Sequence, residues 1–260
     1  MEEKRTAGVR INKYLSAAGV CSRREADRQI AAGNVCIGDR VAGIGDLVRP
    51  DEQVYVQGRL IEAEKERILL VVNKPKGIVC TAEKREKHNI VDFLNYPKRI
   101  YPVGRLDKQS EGLLLMTNEG DFVNKIMRAG NRHEKEYLVT VHKTVTDAFL
   151  QALADGVPIL GTMTRKCRVE RTGKRSFRMI LTQGMNRQIR RMCEYFDYRV
   201  VSLKRVRIMN IHLGDLPSGA CRMVTPEELK RLEQLLEGSS NDTVRFAASS
   251  MDQQLWEEEQ

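Results

Sequence analysis

Long apolar runs are missing from this sequence. No stretch of its 260 residues approaches the ~20 apolar residues that a membrane helix needs, so no membrane association is expected. The opening residues Met1-Glu2-Glu3-Lys4-Arg5 lack the apolar segment of a secretory signal, and a cytoplasmic protein is expected. Metal-ligand spacing is missing too. The six cysteines, at 21, 36, 80, 167, 193 and 221, include no pair with the two-residue spacer of a zinc knuckle, and the four histidines (88, 133, 142, 212) form no metal motif. Without a secretion signal, reduced thiols are the expectation for these cysteines.

What is present suits a globular chain of one large or two smaller domains, with 41% hydrophobic and 30% charged residues. The net charge of +9 is unevenly placed. Residues 163–207 hold 14 Lys/Arg against 3 Asp/Glu, and the remainder is slightly acidic. A local excess of this size points to a polyanionic partner, of which nucleic acid is the usual one.

The chain begins with two short helical patterns. Ile11, Tyr14, Leu15 and Ala18 recur at helical spacing, and Gly19 ends the run. Ser22-Arg23-Arg24-Glu25 reads as a capping box for a second helix that buries Ala26 and Ile30 and stops at Gly33. Short strands follow near 35–37 and 54–56. The strings Arg10-Ile-Asn-Lys13-Tyr-Leu, Gly19-Val-Cys-Ser-Arg23-Arg24-Glu-Ala and Gly33-Asn-Val resemble an S4-type RNA-binding domain. The resemblance implies that Arg10, Lys13, Arg23 and Arg24 contact phosphates, which positions RNA without reading its sequence.

The most informative stretch is 104–121, Gly-Arg-Leu-Asp-Lys-Gln-Ser-Glu-Gly-Leu-Leu-Leu-Met-Thr-Asn-Glu-Gly-Asp. Its polar first half reads as a loop, and the run Leu113 to Met116 as a buried strand bounded by a turn at Asn118-Glu119-Gly120. This string resembles the catalytic motif of the small- and large-subunit ribosomal pseudouridine synthases, in which the aspartate is the catalytic carboxylate. Asp107 takes that place. Asn73-Lys74-Pro75-Lys76-Gly77 and Lys135-Glu136-Tyr137-Leu138-Val139 match two more motifs of the family, and Gly184-Met-Asn-Arg187-Gln-Ile-Arg190-Arg191-Met a fourth. The strings Met127-Arg-Ala-Gly-Asn and Gly156-Val-Pro-Ile-Leu-Gly-Thr162 look closest to the large-subunit branch. Thr144 to Asp147 reads as a further capping box, for a helix ending near Gly156.

The resemblance implies an α+β fold: a small S4-like domain over 1–58, a linker over 59–66, and a mostly antiparallel-sheet catalytic domain over 67–237. The acidic tail at 238–260 is expected to be disordered. It also implies a uridine of 23S ribosomal RNA as substrate, with transfer RNA or ribosomal precursor particles as further partners. A monomer is expected.

The implied chemistry breaks the N1–C1′ bond, turns the uracil and joins C5 to C1′. Nothing is added, so no cofactor and no metal is required. Asp107 either attacks the nucleotide or removes the C2′ proton to form a glycal. A guanidinium paired with the carboxylate would orient it and favour its charged form. Arg190 is placed for that role, with Arg187 one turn earlier as the alternative. Tyr137 either accepts the C5 proton or stacks on the base. The target must leave its stack, and Arg105 either fills the vacated space or holds the flipped nucleotide's phosphate. Lys74, Arg187 and Lys204 complete the expected RNA contacts. A metal-dependent nuclease would need clustered carboxylates. Asp107 and Asp121 offer no clear third.

Overall fold

The computed structural model describes residues 8–239 apart from 63, 65 and 84. The acidic tail from 240 onward lies outside the described residues. The chain forms two compact units: residues up to Val123 with Leu213–Thr225, and Asn124–His212 with the C-terminal helix.

The first unit begins with helices α1 (Ile11–Ala17) and α2 (Arg23–Ala31). Both ends of α2 behave as the sequence suggests. Ser22 accepts a hydrogen bond from the Glu25 N–H at 3.1 Å, and Gly33, at φ +74, takes the left-handed conformation that stops the helix. The helices bury Ile11, Leu15, Ala26 and Ile30 against strands β1 (Val35–Ile37) and β2 (Val54–Val56). A third strand, β3 (Arg59–Ile61), pairs with β2 from Val54↔Ile61 to Val56↔Arg59. The segment read as a linker therefore starts as sheet. The polar residues from Glu62 to Glu66 follow that strand.

The same unit continues into β4 (Leu69–Lys74), the short helix α3 (Ile90–Leu94), β5 (Tyr101–Val103) and β6 (Glu111–Thr117). β6 pairs antiparallel with both β4 and β5, and residues 112–117 are all buried. This explains the unbroken apolar run in the sequence: neither face of the strand meets water. Helix α4 (Gly120–Met127) follows at once.

The second unit is built on an antiparallel sheet of β7 (Lys135–Val141), β8 (Arg168–Gly173), β9 (Ser176–Leu181) and β10 (Val200–Ile208). Helices α5 (Asp147–Asp155) and α6 (Gln188–Glu194) cover one face, with Phe149, Leu153, Ile189 and Met192 in a core with Val139, Phe177 and Met179. The cap of α5 is Thr146, which accepts from the Phe149 N–H, and not Thr144. The Val145 N–H is already taken by Lys174 O at 2.9 Å, which holds the chain extended past the first threonine. β11 (Cys221–Met223) returns to pair with β4, and α7 (Pro226–Leu236) closes the described chain, with Pro226 at its first position as expected.

Candidate active site

Asp107 sits half-buried in the loop between β5 and β6, entered through Gly104 at φ +75. Short contacts fix this loop. The Leu106 N–H donates to Cys80 Sγ at 3.4 Å, the Gly77 N–H to Lys108 O at 2.7 Å, and the Ser110 N–H to Asp107 O at 3.0 Å. Leu106 and Ser110 are buried. The carboxylate is thus carried on a loop tied at three points by backbone hydrogen bonds.

Lys74 corrects one expectation. It is fully buried, and its Nζ donates to Pro75 O at 2.8 Å and Ile78 O at 2.7 Å. It is not an outward cation for RNA. It closes the turn whose Gly77 N–H holds the loop at Lys108. Sequence alone favoured exposure because a lysine is almost never fully buried unless paired.

The N-terminal cations divide in two groups. Arg10, Arg23 and Arg24 are exposed. Lys13 instead forms an ion pair with Asp121 at 2.5 Å, in the first turn of α4. The Arg23 guanidinium reaches the start of the same helix: a Cβ placed on Gly120 would lie 3.6 Å from its Nη2. Arg99 Nη1 donates to Ser16 O and Oγ at 3.2 Å. These contacts tie the S4-like helices to the chain around Asp107 within the first unit.

In the second unit, Tyr137 is half-buried on β7 and packs on the core. Its cross-strand partner on β10 is Arg205, only 1% exposed. Lys135, two residues before Tyr137, is 3% exposed and donates to His133 O at 3.3 Å. Burial, with the Arg205 charge adding to it, lowers the Lys135 ammonium to about 8. Arg190 is buried on α6, its Nη1 3.4 Å from Val200 O. Arg187, exposed at φ +47, stands at the N-cap position of that helix and makes no side-chain capping bond. Lys204 lies opposite the exposed Leu138, on the other face from Tyr137. Sequence reading passed over Arg205 and Lys135. The available signal was alternation: in Leu203-Lys204-Arg205 the arginine shares the core-facing phase of Leu203.

Among the described residues, no three His, Cys, Asp or Glu side chains gather as a metal site would need. The first unit supplies a carboxylate on a tied loop with surface cations, and the second supplies buried cations beside a half-buried tyrosine.

Residues 9–54 match the S4 domain, and residues 68–195 match the family described as RNA pseudouridylate synthase. That pairing on an α+β scaffold defines an RNA-modifying isomerase, and the chain belongs to the RNA pseudouridine synthase family. It is 56% identical over 236 residues to the dual-specificity RNA pseudouridine synthase RluF of Salmonella typhi, covering 90% of this chain and 82% of that protein. The ribosomal large subunit pseudouridine synthase B of Bacillus subtilis is 34% identical over 89% of this chain and 98% of its own length. A solved structure described as a pseudouridylate synthase superposes with a TM-score of 0.64 at 26% identity, covering 86% of this chain and 99% of that one.

Proposed function

We propose that this enzyme isomerises a specific uridine in 23S ribosomal RNA and accepts transfer RNA as a second substrate. The observation that carries the reading is the match to relatives named dual-specificity at above 50% identity across about nine-tenths of the chain. The ribosomal large subunit synthase of Bacillus subtilis supports the first substrate. No helix among the described residues is long and apolar enough to cross a membrane. We place the enzyme in the cytoplasm, as a monomer.

Roles follow the motifs. Asp107 is the catalytic carboxylate and Arg190 the cation that keeps it charged. Tyr137 holds the uracil ring or takes its C5 proton. The N1–C1′ bond breaks, C5–C1′ forms, the C5 proton leaves and N1 gains one. Arg10, Lys13, Arg23, Arg24, Arg105 and Arg187 hold phosphates, and so does Lys204. The base must first be unstacked, at a cost of a few kcal/mol.

The test is tritium release from 5-tritiated uridine in 23S ribosomal and transfer RNA transcripts, followed by mapping of the modified position. Release from both at defined uridines supports the reading. Binding without release would make the chain an RNA-binding protein only, and release from one transcript alone would remove the other as a substrate.

A further inference from the structure

Helix α6 has an outer face that the roles above use only in part. Arg187 and Tyr195 are the N-cap and C-cap residues of α6, and Arg191 lies between them. The Arg191 N–H donates to Arg187 O and the Tyr195 N–H to Arg191 O, each at 3.0 Å, so the three follow one another along the helix, with the Arg187 backbone left-handed at φ +47. The run is about 12 Å long. The opposite face of the helix, Ile189, Met192 and Cys193, is core.

Tyr195 is the unusual member. It is 56% exposed, although burying an aromatic ring is favourable. It is also held in place. Its ring meets Phe196 edge-on at 5.0 Å, Phe196 meets Phe149 at 5.9 Å, and Phe149 stacks on Tyr198 at 3.7 Å. An aromatic pile rooted in the core thus ends in a ring open to solvent. Beside it, Arg191 Nη2 donates to Asn186 Oδ1 at 3.2 Å, which orients that guanidinium, and Arg187 is exposed. The nearby carboxylates are Glu194 and Asp197, in the segment with 14 Lys/Arg against 3 Asp/Glu.

We propose that the Arg187–Arg191–Tyr195 face of α6 is a binding site for an unpaired nucleotide of the RNA substrate. Tyr195 stacks on the base, and the two guanidiniums hold the flanking phosphates. The occupant is single-stranded because a ring standing outward needs an open base face, which a duplex does not offer. The inference rests on the chain acting on RNA, and adds where an unpaired base is held. A stacked base accounts for an exposed anchored ring, and neighbouring cations account for its setting.

The test uses the full-length enzyme and two labelled probes, decauridylate and the same oligomer with abasic sites in place of its bases. Tyr195→Ala should weaken decauridylate about five- to hundredfold and leave the abasic probe unchanged. Tyr195→Phe should bind like the wild type. Arg191→Met should weaken both probes and reduce the salt dependence. If Tyr195→Ala lowers the melting temperature, Tyr195→Leu keeps an apolar contact to Phe196 without a stacking face and should show the same loss. Equal binding of decauridylate by wild type and Tyr195→Leu overturns the proposal, as does an equal loss on both probes or a wild type that binds neither. Tritium release by the wild type from the ribosomal transcript is measured alongside. Failure there overturns the catalytic reading, whereas failure of the stacking arm with release intact overturns this site alone.

Discussion

Tyr137 and Arg205 face each other across β7 and β10, at a point where the pairing skips Val206. The register shift lets Glu136 meet Arg207 and Tyr137 meet Arg205, so adjacent tyrosine and glutamate positions each receive an arginine. On the outer face, Arg207 donates to Glu136 at 2.8 Å and Glu134 at 2.9 Å. On the inner face, Arg205 lies beside the half-buried phenol and raises the cost of keeping Lys135 charged.

That cost has a pH signature. Lys135 holds its proton in the unfolded chain up to about 10.4 but gives it up near 8 when folded. Between those values the unfolded state binds more protons, so stability rises with pH. Below pH 8 the charge is buried in full and the penalty is complete. The difference in unfolding free energy between Lys135→Met and wild type, from urea titrations, should therefore be largest below pH 8. It should shrink by about 3 kcal/mol on reaching pH 10.5. A difference that stays flat from pH 7 to 10.5 would mean that Lys135 keeps its proton in the fold.

Asp107→Asn keeps the shape of the side chain and removes its charge. Because the loop is held by backbone bonds from Leu106, Gly77 and Ser110, the fold should survive. Single-turnover pseudouridine formation should fall by roughly four orders of magnitude, with RNA affinity changed less than twofold. Turnover within tenfold of wild type would remove Asp107 from the catalytic role.

Arg190, within α6, and Arg187, at its N-cap, should separate. Arg190 is buried and Arg187 exposed. Arg190→Met should cost orders of magnitude in turnover at saturating RNA while leaving the salt slope of binding unchanged. Arg187→Met should bind RNA more weakly and reduce that slope by about 0.7 to 0.9, with turnover retained at saturation. The reverse pattern would move the catalytic cation to Arg187.

Gly156 should not accept a side chain. Its φ is +107, and a Cβ there would lie 2.6 Å from Thr164 O. Thr164 is buried, bonded to Val157 through both its N–H and its hydroxyl. Gly156→Ala should cost about 2–4 kcal/mol in urea unfolding. Gly161→Ala, at φ +69 with nothing within 4 Å, should cost about 1 kcal/mol. Equal losses would mean that backbone strain alone, and not the clash, sets the penalty at Gly156.

Local rules carried the sequence reading where they govern the fold. The Ser22 cap and the left-handed glycines at 19 and 33 are each decided by near neighbours along the chain. The loop-then-strand form of the stretch around Asp107 was legible in its polar half and apolar half. What escaped depends on tertiary neighbours. Lys74 looks like any turn lysine until the carbonyls of Pro75 and Ile78 surround its ammonium. Thr144 and Thr146 are equally good caps until Lys174 claims the intervening N–H. Arg205 is one cation in a basic segment until strand phase sends it inward, and Lys13 gives no hint of a partner 108 residues away.

The Lys13–Asp121 pair bears on how RNA binding is to be counted. A phosphate that captures Lys13 displaces a carboxylate already seated there. Asp121 then returns to water and draws counterions to itself, while the phosphate sheds some of its own. Uptake and release partly cancel, so this contact adds little to the ion stoichiometry of binding. The number of ions liberated should therefore fall short of the number of phosphates held, and the shortfall measures how much of the protein's positive charge it already spends on itself.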